Sequence, residues 1–251
     1  MVNANINITN PLIPFDLLNS TSGVSHYYNL TPNNNGRILI IGDIHGCLAT
    51  FIALLKQIDL KKDDQLFLLG DYVNKGPNSI GVIDKILDLM HDGFLIYPLR
   101  GNHESFVSED LEKNDQLIFY PNGQPHRWDK LKYSKSIYKH FFTNLPYYYR
   151  INDLVIVHAG LNLEAENPFT DYDAMIWIWD FYSVKDLGFK VIHGHSITIL
   201  DFIEASIQNN ENSINLDNGC YKKGKWGKGN LICYNFTANK LLVQENIDTM
   251  S

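Results

Sequence analysis

Five short strings carry side chains of the kind that hold divalent metal ions. Gly42-Asp43-Ile44-His45-Gly46, Gly70-Asp71-Tyr72-Val73-Asn74-Lys75-Gly76, Gly101-Asn102-His103-Glu104, Val157-His158-Ala159-Gly160 and Gly194-His195 follow one another along the chain. Carboxylate, amide oxygen and imidazole suit hard or borderline divalent ions. Two such ions about 3.5–4 Å apart can activate a water and clamp both oxygens of an in-line displacement. The chemistry indicated is metal-assisted hydrolysis of a phosphate ester. Asp71 is the natural bridge, because one carboxylate offsets two nearby cations. Asp43 and His45, two apart at a strand end, can reach one ion, and Asn102, His158 and His195 complete the second. His193 reads as a structural neighbour of His195 rather than a ligand.

The elements that must position these residues are legible around them. Apolar runs of strand length occupy residues 37–41, 65–69, 94–99, 154–157 and 190–192, and each ends in one of the strings. Gly42 and Gly46 let the chain turn there without a Cβ clash. Leu48, Phe51, Leu54, Leu55 and Ile58 share one helical face, as do Val82, Ile83, Ile86, Leu87 and Met90, with Gly93 as a stop. Strand and helix in alternation predict an α/β fold with parallel pairing. Such sheets bind ligands beyond the carboxyl ends of their strands, where the strings lie.

Residues 1–36 are polar and Asn-rich and read as an N-terminal arm; residues 37–251 read as a single catalytic domain. An aromatic-rich, mostly helical insert is expected at about 106–150, packed on the sheet or forming a substrate-facing wall. Runs at 214–216, 231–235 and 241–244 suit antiparallel strands.

At 251 residues with 45% hydrophobic and 20% charged residues, the composition is that of a globular domain. A net charge of −7 argues against nucleic acid bound through a broad basic face, and the lysine cluster at 221–228 reads as a solvated turn. No apolar stretch approaches membrane-spanning length. Cys47, Cys220 and Cys233 are too few and scattered for a disulfide framework, and residues 1–10 lack the marks of a signal peptide, so a cytoplasmic location is expected.

At the five strings the chain resembles the calcineurin-like metallophosphoesterases, and more narrowly the phosphoprotein phosphatase family of Ser/Thr phosphatases in its bacterial and bacteriophage branch. The resemblance extends through Ile214-Asn215-Leu216-Asp217-Asn218-Gly219 and covers residues 37 to about 247. It implies a four-layer αββα sandwich of two mixed sheets flanked by helices. It implies one metal on Asp43, His45 and Asp71 and another on Asp71, Asn102, His158 and His195, with Mn²⁺ the first choice and Fe, Zn or Ni alternatives. A metal-bridging hydroxide would be the nucleophile, His103 the acid for the leaving group, and Lys75, Asn102 and His103 the phosphate contacts. The implied substrate is a phosphorylated protein; a dinucleoside polyphosphate or another small phosphate ester is the alternative, and a weakly active phosphate-binding protein a third reading.

Three positions depart from that family's pattern. Asn74 stands where an Asp orients the catalytic His, so it can accept a bond from His103 without favouring its charged form. Lys75 replaces an Arg and loses its two-pronged grip. Trp179 stands where an Arg contacts phosphate, a loss that an insert residue such as Arg127 could make good.

Overall fold

The computed structural model describes residues 25–121, 123–124, 126–127, 131–183 and 186–249, with 126–127 as backbone only. Two five-stranded sheets dominate. One runs β1 (Tyr27–Leu30), β7 (Tyr148–Ile151), β8 (Leu154–Val157), β9 (Lys190–His193), β10 (Ser213–Asn215); the other runs β12 (Lys240–Glu245), β11 (Asn230–Asn235), β2 (Ile38–Ile41), β3 (Gln65–Leu68), β4 (Leu95–Pro98). Both are mixed: β2, β3 and β4 are parallel and β11 joins antiparallel, while β8, β9 and β10 are parallel and β7 is antiparallel to β8.

Side-chain alternation stacks the sheets. In β2, Ile38 and Ile40 enter one core and Leu39 and Ile41 another; in β3, Phe67 parts in the same way from Leu66 and Leu68. Leu154 and Ile156 of β8 meet Ile38 and Ile40 in the inter-sheet core, while Val155 and Val157 face outward. A strand buried on both faces must be apolar throughout, which is why these runs show no polar alternation. The outer face of the β2 sheet is covered by α1 (Leu48–Gln57), α2 (Ser79–His91), α3 (Asn102–Asn114) and α4 (Lys135–Asn144). The outer face of the other sheet is covered by α5 (Tyr172–Trp177) with Leu161 and Phe181. The result is the expected four-layer αββα sandwich.

Val82, Ile83, Ile86, Leu87 and Met90 of α2 are buried as their spacing predicts, each contributing roughly 1.5–3 kcal/mol. Gly93 ends that helix at φ +82°, its N–H donating to Met90 O and that of Phe94 to Leu89 O, a left-handed stop that glycine tolerates best.

The boundaries differ from expectation in three places. Residues 27–30, inside the segment read as an arm, form β1 and pair in parallel with β7, while residues 1–24 lie outside the described residues. The 106–150 region holds much of α3, the hairpin β5 (Ile118–Phe119)–β6 (His126–Arg127) and α4, but its tyrosine triple ends in β7 of the main sheet. β10 is parallel to β9 rather than antiparallel, because α6 (Leu200–Gln208) returns the chain across the layer between them.

Candidate metal centre

The loops after β2, β3, β4, β8 and β9 converge at one end of the two sheets. Their backbones are tightly bent there: His45, Asp71, Asn74, Lys75 and His195 have φ of 48°, 51°, 68°, 67° and 70°. Left-handed geometry at a residue with a Cβ costs on the order of 1 kcal/mol and clusters at functional sites. Neighbouring glycines make room. A Cβ on Gly101 would overlap Asp71 Oδ1, and one on Gly194 would overlap Asp43 Oδ1.

Two groups of ligand atoms form, His45–Asp71–His103 and Asp71–His158–His195, and Asp71 belongs to both. His45 Nε2 lies 3.4 Å from Asp71 Oδ2, and His158 Nε2 lies 3.5 Å from Asp71 Oδ1. The ring orientations are set from behind. His45 Nδ1–H donates to Val73 O at 3.0 Å and His158 Nδ1–H to Leu69 O at 2.8 Å, leaving both Nε2 lone pairs facing the site. The Asn102 amide is 3.1 Å from His158 Nε2 and His195 Nδ1 and 3.2 Å from both Asp71 oxygens. With NH₂ inward its two hydrogens face these four acceptors. With oxygen inward it either accepts from His195 Nδ1 or adds one more electron donor for a cation.

Asp43 is buried but stands outside both groups, where His103 takes its corner. Its carboxylate accepts from the His195 backbone N–H, at 3.2 Å to Oδ2. Burial, then Asp217 and Asp71, push the Asp43 carboxyl well above its usual range. Burial lifts Asp217 to about 7, against the Gly219 N–H and with Asp71 adding to the rise. Burial and Asp71 lift Glu104 to about 8 although it accepts three backbone N–H bonds. Burial works to raise Asp71 too, but His158, His103 and His45 outweigh it and hold that carboxyl low. Burial lowers His45 and His195 to about 4, so both are neutral and able to ligate at pH 7. Four buried acids, neutral imidazoles and converging lone pairs fit divalent cations. His193 is buried beside Phe181 and donates through Nδ1 to Gly194 O at 3.2 Å, outside both groups.

The calcineurin-like phosphoesterase family matches residues 36–224, three-quarters of the chain. The chain belongs to that family. It is 28% identical over 139 residues to an asymmetrical bis(5'-nucleosyl)-tetraphosphatase of Anoxybacillus flavithermus, covering 49% of this chain and 56% of that protein. It is 26% identical over 98 residues to serine/threonine-protein phosphatase 1 of Salmonella typhimurium, covering 39% and 43%. The chain thus spans about half the length of the curated relatives it matches. A solved structure named for a candidate diadenosine tetraphosphatase shares the fold at a TM-score of 0.62 and 23% identity, covering 88% of this chain and 99% of that one.

In this phosphoesterase two of the three departing residues, Asn74 and Lys75, are tied to the insert. Tyr120 N–H donates to Asn74 Oδ1 at 2.6 Å, and Lys75 N–H donates to Tyr120 O at 3.1 Å. The Asn74 oxygen is therefore taken, and its Nδ2 faces His103 Nδ1 at 2.7 Å. The expectation that Asn74 accepts from the ring is reversed, because the insert backbone supplies a donor first. The Asn74–His103 bond favours a neutral His103 ring with its proton on Nε2, the nitrogen 3.9 Å from Asp71 Oδ2. Burial lowers its pKa, with Asp71 opposing and Lys75 and His158 adding to the fall.

The cleft over the metal groups has a volume of about 440 Å³, and Lys75 is the one Lys or Arg lining it among the described residues. Arg100, the residue before the third string, turns away to donate to Phe142, Thr143 and Leu145 carbonyls at the end of α4. Trp179 is 66% exposed at the rim with its ring 4.4 Å from that of His195. A second groove of about 420 Å³ opens on the far side of His103 between Phe106 and Tyr120. Of the insert aromatics, Phe119, Tyr138, Phe141 and Phe142 are core, whereas Phe106 and Tyr120 are exposed. The Arg127 side chain and Trp128 lie outside the described residues.

Sequence reasoning missed three site residues. Glu104 fixes the Asp71, Tyr72 and Gly101 N–H groups; Asp217 lines the cleft; the Tyr221 ring meets His45 edge-on at 5.0 Å. A Glu three residues after Gly101 at a helix start is the one signal that was readable.

Proposed function

We propose that this phosphoesterase hydrolyses the phosphoanhydride bond of nucleoside polyphosphates, with dinucleoside polyphosphates as its substrate class. The observation that carries the reading is the Asn74 amide donating to His103 Nδ1. A neutral imidazole is a weak proton donor, so the leaving group must depart with little help. A phosphate, with a second pKa of about 6, leaves as an anion at pH 7; a serine alkoxide does not. Two bis(5'-nucleosyl)-tetraphosphatases among the relatives agree with this choice.

His45 and Asp71, with Asp43, would hold one divalent ion, and Asp71, Asn102, His158 and His195 the other. Bound there, the ions would lower the pKa of a water and neutralise phosphate charge. The remaining roles belong to the chain. Lys75 draws the anionic substrate into the cleft, His103 Nε2–H donates to the departing oxygen, and Glu104 keeps the Asp71 loop in its bent conformation. Mn²⁺ is the metal to supply first.

A second reading, hydrolysis of phosphoproteins, is favoured by the open groove beside His103 and by the Salmonella relative. Turnover of diadenosine tetraphosphate, a phosphoserine peptide and p-nitrophenyl phosphate with Mn²⁺ separates them. The anhydride reading expects the first substrate to exceed the peptide at least tenfold in kcat/KM. The reverse order would replace it with the second.

A further inference from the structure

The 219–229 loop between β10 and β11 carries Lys222, Lys223, Lys225 and Lys228 around Trp226, in a chain of net charge −7. It is a folded piece of consecutive tight turns. The N–H of Lys222 donates to Gly219 O at 2.7 Å, that of Lys225 to Lys222 O at 3.0 Å and that of Lys228 to Lys225 O at 3.0 Å. Both ends are tied beside the metal cleft. Asn218, next to Asp217, donates through Nδ2 to Gly227 O at 2.8 Å and to Thr198 O at 2.9 Å. Gly229 N–H donates to Asn218 O at 3.0 Å, and Tyr221 lines the cleft itself.

The cations on this rim have little to do within the fold. Lys223 donates to Asp248 O at 3.1 Å, Lys222 Nζ lies over the neighbouring Tyr221 ring at 4.9 Å and Lys228 offsets the charge of Asp217, but Lys222, Lys225 and Lys228 form no salt bridge among the described residues. Trp226 is 81% exposed, more than Trp179, Phe202 or Tyr182. A single exposed indole is ordinary. A solvent-facing indole flanked by lysines that form no salt bridge, on a loop whose ends are tied beside the cleft, matches the recognition of phosphates by cations and of a base by stacking. Among the described residues Lys75 is the one Lys or Arg lining the cleft, so the further charges of a polyphosphate meet no other cationic side chain there.

We propose that the 219–229 loop grips the substrate beyond its reacting phosphate: Lys222, Lys225 and Lys228 bind further phosphates of the chain, and Trp226 stacks on the distal nucleobase. This rests on the polyphosphate reading above. The test uses the full chain with Mn²⁺ at fixed free concentration. Substituting Lys222, Lys225 and Lys228 together by Ala should raise the KM for diadenosine tetraphosphate about tenfold relative to that for p-nitrophenyl phosphate. It should also flatten the salt dependence of kcat/KM. Trp226→Ala should raise the same ratio severalfold, yet leave the inhibition constant of inorganic tripolyphosphate, which has no base, unmoved. An unchanged KM ratio in the triple variant overturns the proposal. If the unaltered protein fails to hydrolyse diadenosine tetraphosphate, the functional reading falls, and tripolyphosphate inhibition of p-nitrophenyl phosphate turnover decides the loop by itself. Weaker inhibition in the triple variant then upholds phosphate binding by the lysines, and equal inhibition refutes it.

Discussion

Asn74→Asp is the most informative change, because it alters one atom beside His103 and reverses a hydrogen bond. In the native arrangement Tyr120 N–H occupies Asn74 Oδ1 at 2.6 Å, and Nδ2 donates to His103 Nδ1 across 2.7 Å. An aspartate keeps the first bond and presents a second oxygen where the donor was. The imidazole must then carry its proton on Nδ1, and its charged form gains a counter-ion. Coulomb attraction at about 4 Å is worth up to about 4 kcal/mol at an effective dielectric of about 20, and a nearby carboxylate typically delivers about 1–4 kcal/mol. Burial lowers the His103 pKa from its ordinary value, which favours the neutral ring. In the variant the charged form persists to higher pH. Its kcat on a phosphoserine peptide should rise about tenfold at pH 7, and should fall as pH rises through the new pKa. Diadenosine tetraphosphate and p-nitrophenyl phosphate, whose leaving groups need no proton, should change less than threefold. Nitrogen chemical shifts of His103 give an independent check, with Nε2 protonated before the change and Nδ1 after it. A peptide-to-anhydride ratio unmoved by the substitution, or a native ring already protonated on Nδ1, would refute the reasoning.

Asp71→Asn should abolish turnover and lower the content of both metals while circular dichroism is retained; two bound ions with full activity would exclude Asp71 as the bridge. Metal removal should make stability fall from about pH 5 to pH 8. Glu104 and Asp217, raised to about 8 and about 7, bind protons in the folded chain that the unfolded chain has released, so thermal denaturation with and without chelator should diverge by a few °C or more across that window. Asp248 accepts from Ala49 N–H, Thr50 N–H and the Thr50 hydroxyl at 3.0, 3.0 and 2.6 Å, capping α1 from the far end of the chain. Asp248→Ala should therefore cost about 1–2 kcal/mol, read as a lower urea midpoint at unchanged slope.

What could be read from the sequence was what local pattern determines. β2, β3, β4, β8 and β9 are short runs buried on both faces, and α1 and α2 have clear apolar stripes. β1 was invisible because Tyr27-Tyr28-Asn29-Leu30 buries only alternate residues at a sheet edge. α6 buries just Ile203, Ser206 and Ile207, too narrow a stripe to announce a helix. The metal-type residues were legible because glycine and strand ends flag them. The role of Asn74 was not, since its amide is oriented by a backbone N–H 46 positions away. Asp217 was quoted only as part of a turn, and its place against Asp43 and Asp71 depends on β10 lying in the opposite sheet.

The bent backbone around the centre sets stability against chemistry. Asn, Asp and His enter left-handed geometry at modest cost, but Lys75 at φ 67° has no such ease. Glycine there would relieve more conformational strain than it adds in unfolded-chain freedom, a net gain below about 1 kcal/mol. A library of this chain selected only for resistance to heat should therefore drift toward glycine at position 75. The sturdier proteins so obtained would have lost the cation that faces the cleft.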